Sequence, residues 1–154
     1  EVCATCPRLT PEQLAQLDRA RTFGRASRYA AQWLYARYDM ALHTGAPKSS
    51  LATWAELQGS TPLGYVKDTL FPANFGHLLG GYAAGYYGYM WSEVLALDML
   101  STFQGKLMDP AAGRRYRDTI LAPGGEQPPM AMVERLLGRQ PNADAFFAEI
   151  AGRR

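Results

Sequence analysis

Apolar residues recur every third or fourth position along most of the chain, and no stretch alternates with a period of two, so helices are predicted throughout. Thr10-Pro11-Glu12-Gln13 opens the first with a hydroxyl N-cap, a proline in the first turn and a glutamine three residues after the cap. Leu14, Leu17 and Arg21 continue its spacing and Gly24 interrupts it. A second helix is predicted over 26–43, with Tyr29, Trp33, Ala36 and Met40 on the repeat and Thr44-Gly45-Ala46-Pro47 as its stop. Ser50 is expected to cap a short helix carrying Leu51, Trp54 and Leu57 and ending at Gly59. Residues 60–81, punctuated by Pro62, Gly64, Pro72, Gly76, Gly80 and Gly81, read as loop. A long helix is predicted over 82–104. Another runs from Asp109-Pro110 to Leu121, where Pro123-Gly124-Gly125 ends it, and a third runs from Pro128-Pro129 to Leu137, closed by Gly138. Asn142 caps the last. The fold class expected is all-α, in a single helical domain over 1–154, because no connection exceeds an ordinary loop.

Composition narrows the partners. At 154 residues, 47% hydrophobic and 19% charged, the chain has the make-up of a soluble globular domain. A net charge of +2 without any run of lysines or arginines gives no stripe for nucleic acid. The richest apolar segment, 82–100, is broken by Glu93 and Asp98, short of the ~20 residues a membrane helix needs. Glu1-Val2-Cys3, with neither a basic start nor an apolar stretch, is not expected to be a secretory leader. Cys3 and Cys6, spaced C-x-x-C, could form half of a zinc site or a redox pair. The only histidines are His43 and His77, and no second cysteine pair exists, so incidental thiols in a reducing, cytoplasmic setting are expected.

One segment concentrates chemistry: residues 75–93, FGHLLGGYAAGYYGYMWSE. If 82–104 is one helix, Tyr82, Tyr86, Tyr89 and Glu93 fall within a sector of about 60° on its surface. Ala83, Ala84, Gly85 and Gly88 between them would let another backbone or a ligand approach. His77 lies on the glycine-rich stretch just before. Phenols in such a stripe serve a site, or a core or interface in which each hydroxyl finds one partner. The residues alone leave both readings open.

The same stretch closely resembles the C-terminal signature of the zinc metallopeptidases of the thimet oligopeptidase, oligopeptidase A and dipeptidyl carboxypeptidase type, the M3 family. Tyr38-Asp39-Met40-Ala41-Leu42-His43-Thr44 resembles that family's D-x-A-L-H-T helix end. The run from Tyr116 to Gly125 resembles its Y-R-x-x-I-L-x-x-G-G turn, and Leu137-Gly138-Arg139-Gln140-Pro141 with Asp144-Ala145-Phe146 its closing element. The resemblance spans about residue 20 to the C-terminus. It implies the helical C-terminal part of a zincin-like catalytic domain around a deep channel. There, zinc held by H-E-x-x-H and a downstream glutamate hydrolyses short peptides.

Carried over by position, the resemblance makes Tyr89 and Tyr82 the catalytic candidates, Tyr89 donating to the tetrahedral intermediate. His77, Tyr86, Gly80 and Gly81 become substrate-binding candidates, Gly80, Gly81, Gly85 and Gly88 serving as hinges or as close-packing positions. No metal ligand is assigned, because H-E-x-x-H does not occur in the sequence and His43 reads as a helix-end residue. Zinc is expected in a full-length parent and not in this chain. The fragment is therefore expected to be inactive alone, to require a missing N-terminal catalytic half, and to self-associate through uncovered apolar surface. A stand-alone helical module that binds peptides or a protein is the competing reading; an independent metal site at Cys3 and Cys6 is a third.

Overall fold

A computed structural model describes residues 6–152, which are all-α: no strand occurs among them. The elements are α1 (Pro11–Thr22), α2 (Arg25–His43), α3 (Ser50–Gly59), α4 (Phe71–Asn74), α5 (Gly88–Ser101), α6 (Pro110–Tyr116), α7 (Pro129–Leu137) and α8 (Asp144–Ile150). Short 3-10 turns lie at Gly76–Leu78 and Gly124–Glu126, and a π-helical turn at Arg117–Leu121 continues α6.

Local signals set several of the helix ends. The Thr10 hydroxyl accepts from the Gln13 amide at 3.3 Å, and the Gln13 side chain accepts from the Thr10 amide at 2.9 Å, closing the predicted capping box. Gly138 ends α7 at a φ of 71°, where L side chains are strained. Ser49 caps α3 in place of Ser50, accepting from the Ala52 amide at 3.3 Å. The N-cap of α8 is Ala143 in place of the expected Asn142, whose side chain instead accepts from the Asp144 amide at 3.0 Å in the turn before the helix. His43, at the end of α2, places Nδ1 2.8 Å from the Asp39 carbonyl oxygen, as a helix-end residue should. Cys6 is disulfide-bonded, so its sulfur is not the free thiol expected. Cys3 lies outside the described residues.

Two boundaries depart from the periodic pattern. Within the predicted loop 60–81, α4 and the first 3-10 turn form because Phe71 and Phe75 are drawn onto the aromatic core. The larger correction concerns the helix predicted over 82–104, which begins only at Gly88 and ends at Ser101. Residues 82–87 are turns instead. Their amides are engaged elsewhere: Ala84 donates to Asp39 Oδ1 at 3.1 Å and Tyr86 to Asp39 Oδ2 at 3.0 Å. Ala84 sits at a φ of 55° and Gly81 at 82°, both outside the helical region. Gln104, at 49°, lies beyond the other end.

The core is aromatic. Leu34 and Tyr38 of α2, Trp54 and Leu57 of α3, Phe75 and Tyr86 form one buried cluster, with Tyr35, Phe71 and Leu78 packed against it. Trp54 stacks on Phe71 with centroids 4.1 Å apart, and Phe71 on Tyr35 at 5.0 Å. A second contact layer joins α5 to α7 and α8, where Met132, Val133, Leu136 and Phe146 are buried. The Tyr29 ring meets Phe146 edge-on at 5.3 Å and so ties α2 to α8.

Asp98 of α5 locks the second layer. It is almost wholly buried, and both carboxylate oxygens receive the Arg139 guanidinium, one at 2.8 Å. The Asn142 amide adds a bond at 2.9 Å. The Arg139 hydrogen bonds hold the Asp98 carboxyl below the usual carboxylate range, outweighing the opposing effect of burial. A lowered folded-state pKa means stability that is fully present above the ordinary carboxylate value of about 4 and is lost below it, as the pH falls through the lower folded-state value. Asp98→Asn should therefore lower stability at neutral pH by about 2–3 kcal/mol, less than the range for fully buried pairs because Arg139 still reaches water. It should also flatten the acid limb of the stability curve, as urea unfolding at pH 7 and pH 3 would show.

Candidate functional site

The glycine-rich stretch and the start of α5 bring together three of the predicted tyrosines around the His77 imidazole. His77 Nε2 lies 3.1 Å from the Tyr89 hydroxyl. Its ring is 5.8 Å from Tyr82, 5.0 Å from Tyr86 and 5.8 Å from Tyr89, edge-on to the last two. Tyr86 also meets Tyr89 at 5.1 Å. The grouping is thus real, but its geometry is not that of one helical stripe. Tyr82 and Tyr86 stand on the turns before α5, and Tyr89 on its first turn.

The three phenols differ in what they can reach. Tyr82 and Tyr89 are 65% and 59% exposed, the Tyr89 hydroxyl lying against His77. Tyr86 is buried, its ring packed on Phe75 and Tyr35, and its hydroxyl donates to Gln32 Oε1 at 3.1 Å. Burial pushes the Tyr86 phenol pKa up. Glu93, on the same face of α5 as Tyr89, accepts a 2.5 Å bond from the Tyr29 hydroxyl. Burial first, then this carboxylate, drive the Tyr29 pKa up to about 12. Arg28, Tyr29, Gln32, Tyr89, Met90 and Glu93 line a cavity of about 250 Å³ beside the cluster.

The glycines divide by what surrounds them. Gly81 needs its φ of 82°, and a Cβ on Gly80 would stand 3.3 Å from the Gly76 carbonyl oxygen. A Cβ on Gly85 would meet the Tyr82 carbonyl oxygen at 3.0 Å, whereas Gly88 faces open space. Asp39 is the participant that sequence reasoning did not place in the site. Its signal was a carboxylate on the buried face of α2, four residues before His43, whose Nδ1 is 3.0 Å from Asp39 Oδ1. Among the described residues, no group of three histidines, cysteines, aspartates or glutamates could hold a metal ion.

This arrangement, a histidine followed at five, nine and twelve residues by tyrosines gathered onto it, coincides with a match over residues 5–152 to the model of Peptidase family M3. The chain belongs to peptidase family M3. Within that family it is 34% identical over 146 residues to oligopeptidase A of Haemophilus influenzae, an alignment covering 90% of this chain and 21% of that protein. It is 35% identical over 150 residues to the organellar oligopeptidase A of Arabidopsis thaliana, covering 90% and 19%. Saccharolysin of Saccharomyces cerevisiae is 38% identical over 120 residues, covering 73% and 17%. The chain therefore spans about a fifth of the length of these M3 relatives. No helix among the described residues is long and apolar enough to cross a membrane.

The two α5-side glycines of this M3 segment separate close packing from open space. Gly85→Ala should destabilise the chain by about 1–3 kcal/mol, because the clashing atom is backbone and cannot swing away. Gly88→Ala should be neutral or stabilising by up to about 1 kcal/mol, since it adds helix propensity without a clash. Thermal unfolding of the two variants side by side checks the contrast.

Proposed function

We propose that this chain forms the substrate-binding and transition-state-facing wall of an M3 oligopeptidase that hydrolyses short peptides. The observation that carries the reading is the 3.1 Å contact between His77 and the Tyr89 hydroxyl, with Tyr89 largely exposed beside it. Without a peptide, phenol and imidazole satisfy each other. When water adds to the scissile carbonyl, the carbonyl oxygen becomes an oxyanion, and a neutral phenol donates to it more strongly than to the uncharged oxygen. Tyr89 takes that role, Tyr82 contacts the peptide beside it, and His77 orients the bound chain. Tyr86 backs the imidazole from the interior. Gly80 and Gly81 keep the backbone low where the peptide would lie.

The described residues do not fit a zinc site. No cluster of ligands occurs among them, and His43 is committed to Asp39 and the end of α2. Zinc and the activation of the attacking water are accordingly assigned, within this proposal, to other parts of a protein with the length of its relatives. The proposed setting is cytoplasmic, in keeping with a relative from Arabidopsis thaliana named as a probable cytosolic oligopeptidase A, 34% identical over 143 residues.

In a protein of full family length carrying this segment, Tyr89→Phe should lower kcat about 10²–10³-fold while KM changes far less. Equal losses in kcat and in substrate affinity would make Tyr89 a binding or folding residue and sink the assignment. The chain by itself should show no chelator-sensitive cleavage of a fluorogenic peptide. Its exposed Leu79, Tyr87 and Trp91 should promote self-association. Sedimentation over a range of concentrations would show a rising mass, and a monomer throughout would exclude it.

A further inference from the structure

The geometry points to Asp39, braced by His43, as the positioning residue that sets the His77–Tyr89 pair, acting through Tyr86. One face of α2 carries Gln32, Tyr35, Asp39 and His43 at helical spacings of three and four. The first three all hold Tyr86. Asp39 Oδ2 takes its amide at 3.0 Å, Gln32 takes its hydroxyl at 3.1 Å, and the Tyr35 ring meets it edge-on at 5.9 Å. Tyr86 is thus fixed at both ends of the residue. Its ring is in turn the surface on which His77 and Tyr89 both rest, 5.0 Å and 5.1 Å away.

Asp39 also receives the Ala84 amide, in a turn where Ala84 holds a left-handed φ of 55° that alanine adopts only under constraint. Its side chain is wholly buried, and each oxygen is used: Oδ1 by Ala84 and His43, Oδ2 by Tyr86. A carboxylate bonded to two amides from one turn fixes both the position and the tilt of that turn. A neutral amide in its place offers one acceptor and sets an N–H against the other donor. The same clamp halts α5 at Gly88, so that Tyr89 stands on the first helical turn with its hydroxyl at His77.

This role rests on the peptidase reading of the site, but its test does not require hydrolysis. In ¹⁵N-labelled chain, Asp39→Asn should speed hydrogen exchange of the Ala84 and Tyr86 amides about 10- to 100-fold, the effect of losing a hydrogen bond to a charged group. The through-space signal between the His77 and Tyr89 rings should weaken with it, while the Leu136 amide in α7 keeps its rate. An unchanged His77–Tyr89 signal, or equal acceleration of all protected amides, would overturn the inference. His43→Ala provides a second arm should Asp39→Asn fail to fold: the same two amides should speed up by a smaller factor, about 2- to 10-fold, and no change would count against the brace. Titration with a short unlabelled peptide separates the two readings. Failure of the wild-type His77 and Tyr89 signals to respond would count against peptide binding and leave the clamp standing.

Discussion

A single buried carboxylate organises the stretch of chain that carries the His77–tyrosine cluster. Asp39 is wholly buried beside Tyr38 on α2, and an ionised group there is tolerated only when hydrogen bonds replace the water it has lost. The replacements come from two amides of a distant turn and from the neighbouring imidazole. Satisfying the charge therefore obliges the chain from 81 to 87 to approach α2 in one conformation. The late start of α5, the left-handed Ala84 and the seating of Tyr86 in the aromatic core all follow. So does the gathering of exposed phenols around His77.

Asp98 repeats the device in the other half of the chain. It too is a buried aspartate on a helix, and it too binds a main-chain amide from a distant loop, that of Asn142. The difference lies in the counter-charge: Arg139 forks onto both oxygens and lowers the pKa of the group. One aspartate ties α5 to the loop between α7 and α8, and the other ties α2 to the approach to α5. Apolar packing brings the helices together, and the two aspartates fix the connecting turns against them.

What could be read beforehand divides along the same line. The capping box at Thr10 and Gln13, the glycine stop at Gly138 and the helix-end role of His43 involve partners within four residues, and sequence spacing displays such pairs directly. That His77, Tyr82, Tyr86 and Tyr89 belong together was legible for a different reason: their motif is a family signature, which carries the outcome of a fold without its geometry. The geometry was not legible. Periodicity from Tyr82 onward has the form of a helix, and only the demand of a carboxylate 45 and 47 residues upstream for those amides prevents it. Tyr86 shows the consequence, since a phenol assigned to the same surface as Tyr89 is instead the packed support behind it.

The π-helical turn at Arg117–Leu121 has a bearing beyond local geometry. A turn with i→i+5 bonding holds one residue more than the α-helical turn it replaces, so the chain rotates out of phase by roughly one residue's worth of angle on passing through it. The side chains after 121 therefore leave α6 in a different phase from the one an unbroken α-helical turn would give them. A lineage could delete the surplus residue and recover an ordinary helix, paying with a swing in where everything downstream points. The extra residue thus works as a phase adjuster for the chain entering the turn at Gly124–Glu126.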